Sequence, residues 1–367
     1  MRGEPRYPGR VGLQQRVLPD YRAAFVDALA RRCDGGLEVF AGEPRAGEGI
    51  LPAPPLSAAR LTRAGNLHLF GGRLLLVWQA GLVPWLETTQ PQVLVLEANP
   101  RYLSSRRALR WMHARRRPVV GWGLGAGGRR GLGGALRGAW LRSFDALIAY
   151  SSLGAAQYRA LGFPAERVFV APNAVAAAPE RLPARPAASG RPPRLLFVGR
   201  LQPRKRVDLL LEACADLEPR PELTVVGDGP DAERLRALAK VRYPQARFLG
   251  DLRGAALDSA FEQADLFVLP GTGGLALQQA LASGLPIIAA EGDGSQQDMV
   301  TPDNGWRVRP GQAGDLRLAL QRALGLDDAI LRSMGEASFH LARTRFSLEA
   351  MTTAFVEALC AVRPRRP

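Results

Sequence analysis

Lysine is nearly missing from this chain: Lys205 and Lys240 are the only two, so 47 of the 49 basic residues are arginine. Cysteine is scarce as well. Cys33, Cys214 and Cys360 stand far apart with no partner at metal-ligand or redox spacing, which argues against a disulfide scaffold or a zinc module and for a reducing compartment. Acidic residues are absent from the whole stretch between Arg101 and Arg142, which holds 11 arginines. Aromatics make up only 7% and are not interleaved with those arginines, and neither a helix-turn-helix nor a zinc pattern is visible, so no nucleic acid is expected as partner. The start of the chain lacks the apolar core of a signal peptide. The longest apolar stretch, Leu74–Leu86, contains Gln79 and Pro84 and is too short to span a bilayer. A cytoplasmic location follows as the expectation.

What is present is an ordinary enzyme composition, 47% apolar and 23% charged, over 367 residues. That length suits two α/β domains of roughly 150–200 residues each. The net charge of +15 is unevenly placed: residues 1–180 carry +12 and residues 181–367 only +3. An anionic partner is therefore expected on the first half. The abundance of Arg, Ala, Gly and Pro also reflects a coding bias, so part of the charge is background.

Short β-rich runs end at Phe40, Leu96, Trp122, Tyr150 and Ala171, with helical stretches between them such as Tyr21–Arg32. Residues 176–193, dense in Pro and Ala, cannot hold a helix and read as a linker. The alternation then restarts with RLLFVG (194–199), LTVVG (223–227), RFLG (247–250), DLFVLP (265–270) and PIIAA (286–290). Continuous apolar runs of this length suit buried parallel strands. Two doubly wound domains of this kind would hold a ligand in a cleft at the carboxyl ends of their strands.

Two segments carry the chemistry. In GRLQPRKRVDLLLEA (199–213), Gly199 lets the chain turn after a strand, and Arg200 and Lys205 place two cations across the loop. A departing diphosphate gains negative charge in the transition state, and preorganised cations stabilise it. A solvated basic loop would look similar, since Arg204 and Arg206 are also there. In LPGTGGLALQQALASGLPIIAA (269–290), four small residues separate a strand from a helix that starts near Leu275. Free backbone N–H groups at such a start bind phosphate and sugar oxygens. In the first half, Glu97, Asn99 and Arg101 lie where one strand ends, and Gly123 and Gly125 where another does, which places all five at the rim of the cleft. Polar residues at strand ends are commonly ordinary loop residues. His68, His113 and His340 are scattered, and Asp228 and Asp293 read as turn and cap residues.

Taken together, AYSSLGAAQYRALGFPAERVFVAPNAV, FVGRLQPRKRVDLLLEA, VVGDGPDAERL, the glycine-rich loop and DNGWRV resemble, in order, family 4 of the retaining glycosyltransferases (the "glycosyl transferases group 1" proteins). The resemblance covers about Leu147 to Phe355; the first 145 residues match loosely. It implies the GT-B fold, two Rossmann-like domains facing each other across a cleft: an acceptor domain over 1–180, to which the final helix (346–367) returns, and a nucleotide-sugar domain over 181–345. It further implies that Arg200 and Lys205 hold the diphosphate, that Gly271, Thr272, Gly273, Gly274 and Leu275 meet phosphate and sugar, and that Gln279 meets the ribose. Gly199 and Gly227 would border this site, and the backbone around Phe248 and Leu249 would frame the base. The family usually carries two glutamates with seven residues between them in this loop and helix; here those places are Gly271 and Gln279.

The expected activity is transfer of a hexose from a nucleotide-diphosphate sugar to a saccharide or lipid-linked acceptor of the cell envelope. Arg200, Lys205 and Glu97 are the candidate catalytic groups. The resemblance implies retention through front-face displacement, without a metal and with no cofactor besides the donor. The basic first half would dock peripherally on the anionic inner face of the membrane, with Leu74–Leu86 as the apolar contact. The rivals are a sugar-nucleotide epimerase, a phosphorylase, a basic nucleic-acid-binding protein and an inactive scaffold. The glycine-rich loop supplies none of the acid–base groups an epimerase needs.

Overall fold

A computed structural model describes residues 4–45, 47–69, 76–127, 132–184 and 190–362. The chain divides into two compact units. One holds residues up to Ala177 together with Leu348 onward, the other Ala178–Ser347.

The first unit is built on a seven-stranded parallel sheet in the order Arg60–Ala64, Leu37–Gly42, Val11–Val17, Val93–Glu97, Val119–Gly123, Ala146–Ala149, Val168–Val170. Both faces of the sheet are covered. Within Val93–Glu97, Val93 and Val95 pack into one core with Phe25 and Phe355, while Leu94 and Leu96 pack into another with Trp85 and Met112. Buried parallel strands read as unbroken apolar runs for this reason. The helix Leu348–Ala361 belongs to this unit and rests on the helix Ala23–Arg31, with the Phe355 ring 4.8 Å from Phe25 and 4.9 Å from Trp122.

Val11–Val17 lies inside this sheet, between Leu37–Gly42 and Val93–Glu97, and sequence reasoning passed over it. Its VGLQQRV run is broken by Gln14 and Gln15, which look like surface residues yet are both fully buried. Their amides are satisfied inside the sheet. Gln14 bonds Gln79 and accepts from the Glu97 N–H at 3.2 Å, and Gln79 Nε2 donates to the Gln15 carbonyl at 3.0 Å. A buried amide without such partners would cost several kcal/mol, so the network makes the strand viable.

The apolar stretch expected on a membrane is internal instead. Its described part forms the strand Val77–Gln79 and the helix Leu82–Thr89; residues 74 and 75 lie outside the described residues. Leu82, Trp85 and Leu86 are buried in the core, with Trp85 5.3 Å from Phe40 between ring centroids. Trp78 is half-buried under the Arg107 guanidinium, 4.8 Å from its ring centre. A short apolar helix packed beneath a sheet and one lying on a bilayer share the same pattern, and here the packing under the sheet wins.

The second unit is a six-stranded parallel sheet in the order Arg247–Phe248, Glu222–Val226, Arg194–Val198, Leu266–Leu269, Ile287–Ala290, Gly305–Val308. Its five N-terminal strands fall on the expected runs, and Gly305–Val308 is the addition. In both units the strand order reverses beside the first strand, which sets a crevice at the carboxyl ends of its neighbours. Among the described residues no helix is long and apolar enough to cross a membrane.

Replacing Trp85 with Ala removes a ring buried between helix and sheet and should cost about 3–5 kcal/mol of stability. A denaturation series checks this. An unchanged midpoint would return the helix Leu82–Thr89 to the surface.

Candidate active site

In the second unit the strand Arg194–Val198 ends at Gly199, and a single 3-10 turn, Pro203–Lys205, leads into the helix Val207–Ala215. Arg206 links turn and helix with a left-handed backbone (φ 53°), and its guanidinium is tied to Asp208 at 3.1 Å. The neighbouring strand ends at Gly227, where φ is 128° and a Cβ would come within 2.1 Å of the Gly199 carbonyl oxygen. Only glycine permits this approach of two backbones.

The glycine-rich turn after Leu266–Leu269 packs on the same basic turn. Thr272 N–H donates to the Arg204 carbonyl at 3.1 Å, and Arg204 Nη1 donates to Thr272 Oγ1 at 3.1 Å. A Cβ on Gly271 would lie 2.2 Å from the Arg204 carbonyl oxygen and 2.6 Å from Lys205 Cα. The place where the family resemblance implies a glutamate is therefore filled by the backbone of the basic turn. At Gly273, whose φ is 147°, a Cβ would lie 2.2 Å from Lys205 Nζ, so the ammonium rests directly against this glycine.

Lys205 is half-buried, and no carboxylate pairs with it among the described residues. Burial, followed by the charge of Arg204, lowers its pKa from 10.5 to about 8. A desolvated cation without a counter-charge is costly unless an anion completes the site. Arg200 stands exposed between Gly199 and the basic turn. Leu275 opens the helix Leu275–Ala282, and Gln279 lies half-buried one turn further on. Leu249 is 40% exposed beside Phe248, whose ring lies 5.9 Å below the Arg236 guanidinium; Leu249 N–H donates to the Val225 carbonyl. Gly199, Lys205, Gly227, Gly271, Thr272 and Gly273 are thus brought together. Sequence reasoning missed Gln296, which is 1% exposed and donates from Nε2 to the Gly273 carbonyl at 2.8 Å. Its only signal was its place in the loop and short helix after Ile287–Ala290. Asp228 and Asp293 cap their own turns, accepting from Gly229 N–H at 2.8 Å and from Ser295 N–H at 3.0 Å.

In the first unit, Glu97, Asn99, Arg101 and Gly123 line one cavity of about 410 Å³, with Tyr102, Trp122, Arg137 and Tyr150. Gly125 does not line it. It is buried behind the cavity, donating its N–H to Tyr158 Oη at 3.1 Å and accepting from Arg137 Nη2 at 2.8 Å. Glu97 ends its strand and accepts from the Arg16 N–H at 3.0 Å. Burial raises its pKa above the usual carboxylate value, against the opposing pull of that N–H, of Arg22 and Arg16, and of the Tyr102 hydroxyl. Arg22 is itself buried; it bonds Gln15 and the Tyr150 hydroxyl and stacks 4.3 Å over Trp122. His113 bonds Asp145 at 2.9 Å on the surface, a structural pair.

Two parallel-sheet α/β units, each with a strand-order reversal beside its first strand, define the GT-B class. The whole chain superposes on solved members of that class: an outer-core lipopolysaccharide galactosyltransferase (WaaB, apo form) at TM-score 0.71 and 17% identity, covering 96% of this chain and 99% of that one. Anabaena HepE, solved in complex with UDP, follows at TM-score 0.67 and 17% identity with the same coverage. Residues 180–340, which are the second unit but for its ends, match the family described as glycosyl transferases group 1. The GDP-mannose-dependent alpha-mannosyltransferase of Mycolicibacterium smegmatis is 44% identical over 111 residues, 29% of this chain and 27% of its own length. The phosphatidyl-myo-inositol mannosyltransferase of Mycobacterium leprae is 32% identical over 203 residues, 51% of this chain and 52% of its own. The chain thus spans between a quarter and about half of the length of these curated relatives.

Gly271→Ala drives a methyl group into the Arg204 carbonyl, so the two turns must separate; diphosphate affinity should fall about tenfold or more, for a strain of about 1–3 kcal/mol. Gly271→Glu, which restores the usual carboxylate, should fare worse rather than gain a sugar contact. Titration with UDP checks both, and wild-type affinity in either variant would show that the turns need not touch.

Proposed function

We propose that this chain is a retaining hexosyltransferase that takes a hexose from a nucleotide-diphosphate sugar and passes it to a saccharide or lipid-linked acceptor of the cell envelope. The observation that carries the reading is the desolvated Lys205 ammonium, set against Gly273 with no carboxylate paired to it among the described residues. On this reading Lys205 and Arg200 take the diphosphate oxygens, and their attraction grows as the glycosidic bond breaks. The turn Gly271–Gly274 and Leu275 lie along phosphate and sugar, Gln279 takes a ribose hydroxyl, and Phe248–Leu249 borders the base. With Gly271 in place of a carboxylate, sugar contacts come from backbone groups of the turn that Gln296 holds.

The cavity around Glu97 takes the acceptor. A half-buried carboxylate at a strand end accepts a hydrogen bond from an acceptor hydroxyl and orients it. The leaving phosphate then removes that proton in a front-face displacement, so no protein nucleophile or metal is invoked. Relatives named as mannosyltransferases that use GDP-mannose, or that act on phosphatidyl-myo-inositol, support a hexose donor and an envelope acceptor. The outer face of the helix Ser104–Ala114 exposes Arg106, Arg107 and Arg110, and Arg115 and Arg116 follow, also exposed. Each arginine held at an anionic bilayer contributes about 1 kcal/mol, which suits peripheral attachment to the inner leaflet.

Donor consumption with a panel of sugar nucleotides tests the chemistry. Lys205→Ala and Arg200→Ala should each remain folded and lose about a hundredfold in rate, since a charge-assisted bond is worth about 1.5–3 kcal/mol. Wild-type turnover in both would remove these residues from the site. Co-sedimentation with vesicles tests the attachment. Binding should require anionic lipid, weaken at high salt and fall when Arg106, Arg110 and Arg116 are changed together to Gln; binding unaffected by that change would contradict the arginine face as the contact.

A further inference from the structure

The cavity of the first unit holds more positive charge than binding a hydroxyl needs. Arg101 and Arg137 both line it, and among the described residues neither belongs to an ion pair. Arg137 donates from Nη2 to the Gly125 carbonyl, which fixes the guanidinium, while its buried Nε has no hydrogen-bond partner. Other arginines nearby are already committed: Arg16 pairs with Glu48 at 3.0 Å, and Arg22 is taken by Gln15, Tyr150 and the Trp122 face. Glu97, the one carboxylate in the lining, receives the Arg16 N–H and is influenced most among charged groups by Arg22 and Arg16. The Arg137 guanidinium, held by Gly125, and the exposed Arg101 guanidinium therefore remain without an anion, around a volume of about 410 Å³ that accommodates a sugar ring with a charged substituent.

From this arrangement we infer that the acceptor is an anionic sugar or polyol, whose hydroxyl meets Glu97 while its phosphate or carboxylate group lies between Arg137 and Arg101. The guanidinium suits both anions, because its planar fork matches two oxygens of either group. The inference rests on the reading of this cavity as the acceptor site. It adds a selection rule: Glu97 alone would accept any neutral hydroxyl, and the two arginines favour charged acceptors.

Ligand-observed NMR titration of the full chain with glucose, glucuronate and glucose 6-phosphate tests it. At least one anionic sugar should bind about tenfold or more tighter than glucose, the gain expected of a charge-assisted pair. Preference for glucuronate assigns the charge to a uronic acid, and preference for glucose 6-phosphate to a phosphate ester. Arg137→Gln combined with Arg101→Gln should level the three ligands, bringing the anionic sugars down to the affinity of glucose. Equal binding of all three to the wild-type chain, or a preference that survives the double variant, overturns the anionic selection and leaves the acceptor reading standing. Absence of binding by every sugar overturns the acceptor reading itself, and the inference with it.

Discussion

The arrangement of the second unit depends on one uncompensated charge. Lys205 brings an ammonium out of water against the Gly273 backbone, and burial, then the charge of Arg204, lowers its pKa to about 8, with no partner carboxylate among the described residues. The glycines follow from this. Gly227 lets two strand ends meet, Gly271 lets the second turn lie on the backbone of the first, and Gly273 leaves room for the amine. Gln296 completes the support from behind by donating to the Gly273 carbonyl. Any side chain in these places would part the turns that hold the cation.

The same geometry accounts for the departure from the family pattern at Gly271. A glutamate there requires space between the turn and the Arg204–Lys205 backbone, and in this chain those backbones are in contact. The missing carboxylate is thus coupled to how closely the two loops pack. In the first unit polarity is handled differently. Gln14, Gln15, Gln79 and Arg22 form a closed, buried network around the strand that carries Glu97. Such a network fixes the carboxylate more firmly than a solvent-exposed loop does.

Much of this was legible in the sequence because buried parallel strands are written as short apolar runs. Leu195–Val198, Leu266–Leu269 and Ile287–Ala290 announce themselves, and with them the basic turn and the glycine turn that follow. Val11–Val17 was illegible because the Gln14 amide is satisfied by groups distant in sequence, Gln79 and Glu97. Gln296 escaped for a related reason, since a buried amide and a solvated one look alike in sequence. The burial of Leu82–Leu86 was undecidable from periodicity, which is common to a core helix and an interfacial one. Arg137 was visible only as one arginine among many; its place in the cavity follows from Gly125, which the fold turns into its anchor rather than a lining residue.

Because Lys205 and Lys240 are the only lysines, their side-chain amines can be followed as two resolved NMR signals through a pH titration. The account predicts that Lys205 titrates near 8 in the free protein, far below its usual 10.5. Its ammonium is then progressively lost as pH rises through that value, and diphosphate affinity declines above it. Saturating UDP supplies the missing anion and should move the Lys205 pKa upward by one unit or more, with Lys240 unaffected. Titration of Lys205 near 10.5 in the free chain, or a midpoint indifferent to UDP, would contradict the claim that this amine is the cation of the donor site.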